Sequence, residues 1–287
     1  IQSYLMIAGT VLGMIIFVVI PLLWIMRWCL FSYKGFGTVK FVGLKNFIRV
    51  FSSTSSKYWL SVGNTFVFAI GKLLVEIPLA LVLAFILTKK IRGRDFFRSV
   101  FFMPSMLSVA VIGVVFTYLF NHNQGVVNSA IRLLGGEGVK WFSGGTSAMI
   151  MLMIASIWQN FGINMLFFMT GLQSISPEMY EAASIDGASE WQIVKKIKLP
   201  ELKGSLAITV IFSIIGSFQL FNEPSILQNM VPGNAITTYY TPNMYAYNLS
   251  FTGNQSNYAA ALAIVMAIIT MAIAYVVQLK SMKEQMK

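Results

Sequence analysis

The 287-residue sequence holds one cysteine, Cys29, and one histidine, His122. A single cysteine excludes a disulfide framework, and one of each leaves too few ligands for a His/Cys metal site. No G-x-x-x-x-G-K-[ST] run occurs, so nothing in the chain cradles the phosphates of ATP in the P-loop manner. Any energy from ATP must therefore enter through another chain. Gly135-Gly136-Glu137-Gly138 lacks the preceding strand and the spacing of a dinucleotide motif and reads as a turn. Charge is scarce too. Charged residues make up 11% of the chain against 56% hydrophobic, with a mean hydropathy of +0.71. A soluble globule with that composition would have far too little polar surface, so this is a polytopic membrane protein. The net charge of +11 would raise nucleic acid as a partner in a soluble domain. Here the basic residues lie between apolar stretches, where they set topology against anionic lipid, and no nucleic-acid partner is expected.

Six apolar stretches divide the chain, at about 4–26, 64–87, 99–120, 147–169, 205–221 and 258–277. The first ends in Trp24-Ile25-Met26-Arg27-Trp28, an interfacial anchor, so it is expected to be retained as a span. The second carries Lys72 and Glu76 one helical turn apart, either as the polar lining of a pathway or as a mutually neutralised pair in a helix interface. The fourth is interrupted by Trp158-Gln159-Asn160, and the fifth carries Ser213, Ser217 and Gln219. Tyr239, Tyr240, Tyr245 and Tyr247 precede the sixth; they suit sugar stacking or binding-protein contact, or equally an aromatic belt.

Between the fourth and fifth stretches lies a charged island. Ser176-Pro177-Glu178 reads as an N-cap, a proline in the first helical position and an acid in the first turn. Asp186-Gly187 should break that helix, and Ser189 with Gln192 is a capping-box pattern that starts a second one through Trp191, Val194 and Ile197, closed by Pro200.

The island has the form Glu-Ala-Ala, three residues, Gly, nine residues, Ile-x-Leu-Pro, met by Glu181, Ala182, Ala183, Gly187, Ile197, Leu199 and Pro200. This resembles the EAA signature of the membrane subunits of binding-protein-dependent ABC importers. The longer run from Tyr180 through Asp186, Gly187 and Ala188, preceded by Gly171-Leu172-Gln173, is similar to the carbohydrate-uptake branch that includes the maltose permeases. Phe41 to Phe47, the Arg92-Gly93 to Phe97-Arg98 element, Gly125 and Asn128 also resemble that branch. The resemblance implies an all-α membrane protein with six transmembrane helices in the type I ABC importer permease fold, forming a single domain over 1–287 with a cytoplasmic coupling loop at about 172–204. It implies that Glu181, Ala182, Ala183, Asp186, Gly187 and Ala188 contact a cytoplasmic ATPase, with Ile197, Leu199 and Pro200 fixing the loop against the fifth span. It implies two such ATPase subunits holding ATP and Mg, a second and different permease, an extracytoplasmic solute-binding protein and an oligosaccharide cargo, in the bacterial cytoplasmic membrane. This chain itself would bind no cofactor and perform no covalent chemistry.

Lysine and arginine give a modest orientation signal, 12 on the side of the island against 8 on the other, which puts the island in the cytoplasm. The first loop runs against the rule, with Arg27, Lys34, Lys40, Lys45, Arg49 and Lys57 all outside. The resemblance places sugar-contacting positions on or beside Ser105, Ser108, Asn160, Ser213 and Ser217. Trp158, Gln159 and Gln219 join them as polar or aromatic candidates. A serine in a membrane helix can instead bond its own i−4 carbonyl or permit close packing, whereas an amide such as Asn160 has more hydrogen-bonding sites than one helix can satisfy. The alternatives are the same architecture carrying glycerol phosphate or another polar solute, and an ion-coupled secondary sugar carrier. The absence of arginine from the third to fifth stretches argues against the former where its cargo is an anion, and Glu76 is the one acid in a span available to the latter.

Overall fold

The computed structural model describes residues 2–285, apart from Lys34, Phe36 and Lys90. Lys34, Lys90 and Lys287 of the charge count therefore lie outside the described residues. Among the described residues, five helical stretches are long and apolar enough to cross a membrane: Met6–Trp28, Ser56–Thr88, Gly145–Gln173, Lys203–Met230 and Ser256–Lys283. The bent pair Arg94–Met106 and Val109–Leu119 makes a sixth when counted as one broken span. The chain divides into two compact units, Ile1–Asn64 with Thr238–Ile269, and Thr65–Thr237 with Thr270–Lys287.

In the first unit, α1 (Gln2–Met14) passes through a π-helical stretch (Ile15–Val19) into α2 (Ile20–Trp28). A two-residue ribbon, β1 (Phe31–Ser32) antiparallel to β2 (Lys40–Phe41), leads to α3 (Lys45–Val50). Side-chain amides hold this irregular backbone: Asn46 donates to the carbonyls of Cys29 and Phe31, both at 2.8 Å, and Asn257 donates to Trp28 O and accepts from Tyr33 N. The basic residues of this loop are partly covered by rings. Arg27 lies over Trp24 and Phe31, Arg49 over Tyr258 at 4.1 Å, and Lys57 over Tyr239 at 5.0 Å. Cation–π contact and the Arg49–Gln255 hydrogen bond at 3.0 Å give these charges partners other than lipid phosphate. Burial pushes the Cys29 thiol up to about 11, so it is an inert filler at the helix end.

α4 (Ser56–Thr88) begins eight residues before the expected second span, and from Thr65 onward it belongs to the second unit. The expected third span is not one helix. α5 (Arg94–Phe102) runs through a 3₁₀ turn (Met103–Met106) and then meets α6 (Val109–Leu119) at 101°. Pro104 opens the 3₁₀ turn without an N–H to give, and Leu107 and Ser108 are extended, so the helical ladder stops there. The bend abuts the backbone of α8 (Gly145–Gln173): a Cβ on Gly162 would lie 2.0 Å from Phe101 O. Between α6 and α8, the loop helix α7 (Val126–Leu133) is organised by buried Asn128. Its amide donates to Val139 O at 2.9 Å and accepts from Val139 N and Trp141 Nε1. Gly125 faces Asn121 O and Leu119 O so closely that a Cβ would sit about 2.5 Å away, which accounts for the glycine.

After α8 come α9 (Pro177–Ile185), α10 (Glu190–Ile193), a π-helical stretch (Val194–Lys198), α11 (Leu199–Glu201), α12 (Lys203–Phe218) and α13 (Asn222–Met230). Pro200 does not close the island as expected. It sits in helical backbone that runs on from the π-helical stretch to Glu201, and after a turn at Leu202 helical backbone resumes at Lys203. The apolar core at this end is Ala80, Ala84 and Leu87 of α4 against Met165, Phe168, Met169 and Leu172 of α8, with Leu202. Ala80 and Ala84, four apart, let the two helices approach closely. α14 (Pro242–Phe251) and α15 (Ser256–Gln285) complete the chain.

Candidate functional site

Two places in the second unit carry the sequence-predicted residues. The first is the island of 176–202. α9 ends in a Schellman motif: Ala188 N donates to Ala183 O at 2.9 Å and Gly187 N to Ser184 O at 3.1 Å, with Gly187 at φ +73. The spacing of Ala183 and Gly187 in the signature is thus the spacing of a helix stop. Two residues after Gly187 the capping box opens α10 as expected, Ser189 Oγ accepting from Gln192 N and Ser189 N donating to Gln192 Oε1 at 2.7 Å. Two helix ends stopped this abruptly make a knob. Glu181, Ala182, Asp186 and Gly187 are exposed on it, Ala183 and Ala188 half-buried. Ile185 and Trp191 stand 86% and 70% exposed, too far out to be core.

The foot of the knob is fixed differently. Ile197 and Tyr180 pack on the core of α4 and α8, and Lys198 lies over the Tyr180 and Phe85 rings at 5.6 and 5.9 Å. Leu199 and Pro200 are exposed and do not join that packing. Burial, and then the charge of Glu201, raises the Tyr180 hydroxyl above its ordinary value. Lys89 reaches Glu190 at 2.9 Å, and that hydrogen bond, followed by the charges of Lys89 and Lys198, holds the Glu190 carboxyl below the usual range. A groove of about 350 Å³ opens beside the turn, lined by Ala183, Asp186, Gly187, Ala188, Gln192, Ile193, Lys196 and Ile197.

The second place is a cavity of about 450 Å³ among α4, α8, α12 and α13, with Val109 of α6 at its edge. Ser156, Gln159, Asn160 and Asn164 line it from α8, Ser213 and Phe212 from α12, and Lys72, Glu76 and Glu223 supply charge. Part of its wall is a buried node. Glu76 is fully buried, its Oε1 accepting from Asn164 Nδ2 and, at 3.4 Å, from Ser213 Oγ, while Lys72 Nζ lies 3.4 Å from Oε2. Oε2 has charge partnership but no aligned hydrogen bond. Three donors from three helices converge on one carboxylate, which satisfies a charge that lipid could not.

Of the pathway candidates, the cavity brings together Gln159, Asn160 and Ser213. Asn160 spends one amide hydrogen on Ser156 O at 2.8 Å and keeps the rest of its amide for the cavity. The others lie off the cavity wall for local reasons. Ser105 donates to Phe102 O and Ser108 caps α6 through Val111 N, so both serve the broken span. Ser217 bonds its own i−4 carbonyl, Ser213 O, at 2.7 Å. Trp158 packs on Phe116, and Gln219 is the exposed C-cap of α12. Asn164 and Glu223 were missed. Asn164 carries a readable signal, because Ser156, Asn160 and Asn164 recur every four residues and form one polar stripe. Glu223 carries none, since it lies just past the end of the fifth apolar run.

Comparison with known proteins fits this geometry to a family. Residues 76–280 match the family described as the binding-protein-dependent transport system inner membrane component. The chain is 31% identical over 274 residues to the probable ABC transporter permease protein YurN of Bacillus subtilis (strain 168), covering 94% of this chain and 92% of that one. It is 32% identical to the arabinooligosaccharides transport system permease protein AraP of the same organism, over 95% of this chain and 86% of the relative. The lactose transport system permease protein LacF of Rhizobium radiobacter is 30% identical over 96% of this chain and 92% of its own. In fold, the chain superposes with a TM-score of 0.84, at 20% identity, on a chain from the crystal structure of a bacterial ABC transporter that imports the acidic polysaccharide alginate, covering 98% of this chain and 95% of that one. The EAA island, the apolar helices and the family match over most of the chain converge: this protein belongs to the inner membrane components of binding-protein-dependent transport systems.

Proposed function

We propose that the chain, acting as one permease domain, forms half of the membrane pathway of an ATP-driven importer. Its cargo is an oligosaccharide or related sugar handed over by an extracytoplasmic solute-binding protein. It works in the bacterial cytoplasmic membrane beside a second, different permease. Two ATPase subunits bind ATP and Mg and seat the knob of 176–200, Glu181, Ala182, Ala183, Asp186, Gly187 and Ala188 making the contact. This subunit is not catalytic; it converts closure of the ATPases into movement of its helices. The sugar cargo is supported by the relatives named for arabinooligosaccharides and lactose.

The observation that carries the reading is the wall of the cavity. Gln159, Asn160 and Ser213 offer amide and hydroxyl groups that replace a sugar's hydration, and Phe167 and Phe212, stacked 6.3 Å apart at 15°, offer flat faces to its C–H surface. A cavity of about 450 Å³ is within the usual size of small-ligand sites.

The test is ATP hydrolysis by the reconstituted complex with its binding protein and a panel of oligosaccharides. Stimulation by one sugar-loaded binding protein, lost in Gly187→Pro while the complex remains assembled, is the expected result. Sugar uptake by the chain alone, driven by an ion gradient without ATPases, would overturn it.

A further inference from the structure

We propose that the cavity selects its cargo by charge, admitting neutral and aminated sugars and rejecting acidic ones, with Glu223 as the residue that sets this preference. The inference rests on the importer reading for its cargo but on the cavity alone for its charge. Three ionisable side chains line the wall: Lys72, Glu76 and Glu223. Lys72 and Glu76 face each other one helical turn apart at 3.4 Å and are both almost wholly buried. Asn164 and Ser213 complete the donor set around Glu76, which matches the ionised carboxylate. That pair is therefore internally balanced.

Glu223, in the first turn of α13, lies half-buried on the same wall; no lysine or arginine among the described residues forms an ion pair with it, and the charge of Lys72, already paired with Glu76, also reaches it. The cavity thus sets two carboxylates against one ammonium, an excess of one acid, within low-dielectric walls built by Phe167, Phe212 and Ile163. Such walls focus the field, so a uronate carboxylate meets like charge in a place where water screens it poorly. A hydroxyl loses nothing there, and a protonated amine gains a partner. Specificity of this kind comes from the repulsive element as much as from the attractive ones.

The charge of the cavity can be read without cargo. In the complex with Cys29→Ser, a thiol is placed on the wall by Ile163→Cys. Its rates of modification by a cationic and an anionic methanethiosulfonate reagent are measured, and their ratio is divided by that for a small free thiol. The expected normalised ratio favours the cation by roughly tenfold. It falls at least threefold in Glu223→Gln and is kept in Glu223→Asp. A second arm measures uptake of the cargo sugar and of analogues bearing one carboxylate or one amine, as a ratio to the neutral sugar. The carboxylated analogue is expected at under a tenth of the neutral rate, and that ratio rises in Glu223→Gln. A normalised thiol ratio of one or below, or a ratio insensitive to Glu223→Gln, overturns the proposal even if sugar uptake is intact. A cation-selective cavity in a complex that moves no sugar overturns the importer reading and leaves the charge assignment standing.

Discussion

The knob and the cavity each set a glutamate against a lysine, and the two pairs have almost nothing else in common. Glu190 and Lys89 meet at 2.9 Å with side chains 76% and 58% exposed; Glu76 and Lys72 meet at 3.4 Å with side chains 0% and 5% exposed. The shorter pair is the weaker one. Water competes for both of its members, salt screens it, and long side chains must be held still to make it. The longer pair has no competitor, and its real partners are the amide of Asn164 and the hydroxyl of Ser213 on two other helices. At the knob, shape comes from the backbone, through the left-handed Gly187 and the two reciprocal caps; at the cavity, shape comes from side chains that have nowhere else to turn.

That contrast predicts a ranking. Glu76→Leu should be the most damaging change. It strands a buried ammonium and a buried amide, at about 3–5 kcal/mol. Thermal unfolding of the purified complex should show the loss, with the double variant Lys72→Met/Glu76→Leu recovering most of it. Equal damage from single and double variants would mean that the pair is not the centre of the node. Gly162→Ala follows, since its methyl would meet the Phe101 carbonyl, costing about 1–3 kcal/mol through displaced helices. The same unfolding assay reads it.

The knob should lose less, and only locally. Ser189→Ala removes a cap worth about 1 kcal/mol. Hydrogen exchange should speed up over 189–198 and stay unchanged around Asn164; a change at both would erase the distinction between the two regions. Glu190→Gln is the smallest. Because the folded carboxyl lies below its ordinary value, its contribution is present above about pH 4.5 and is lost as pH falls through the lowered value. Protection of α10 should therefore be flat from neutral pH down to that range and drop below it. At about 1 M salt, where charges are screened within about 3 Å, wild type and variant should coincide.

The same contrast explains what could be read in advance. Ser189 with Gln192, Gly187 after Ala183, and Pro177 opening α9 are signals a few residues long, and the knob could be drawn from them, though Ser176 holds the N-cap position without a side-chain hydrogen bond. The apolar runs likewise gave most of the spans. The third was expected as one stretch and its break was not, because the chain there turns through 101° and spends Ser105 and Ser108 on its own backbone. Asn160 was legible as an amide too rich for one helix. Glu223 was not, because its meaning depends on Lys72, 151 residues away, being already engaged by Glu76.

One crossing in the second unit also sets a mechanical limit. Where α8 passes the bend after α5, glycine leaves less than the room of a methyl group between Gly162 and the Phe101 carbonyl. Two rods in backbone contact can swivel, but they cannot approach further. The crossing at Gly162 fixes how near α5 and α8 can lie, and any side chain there would push them apart.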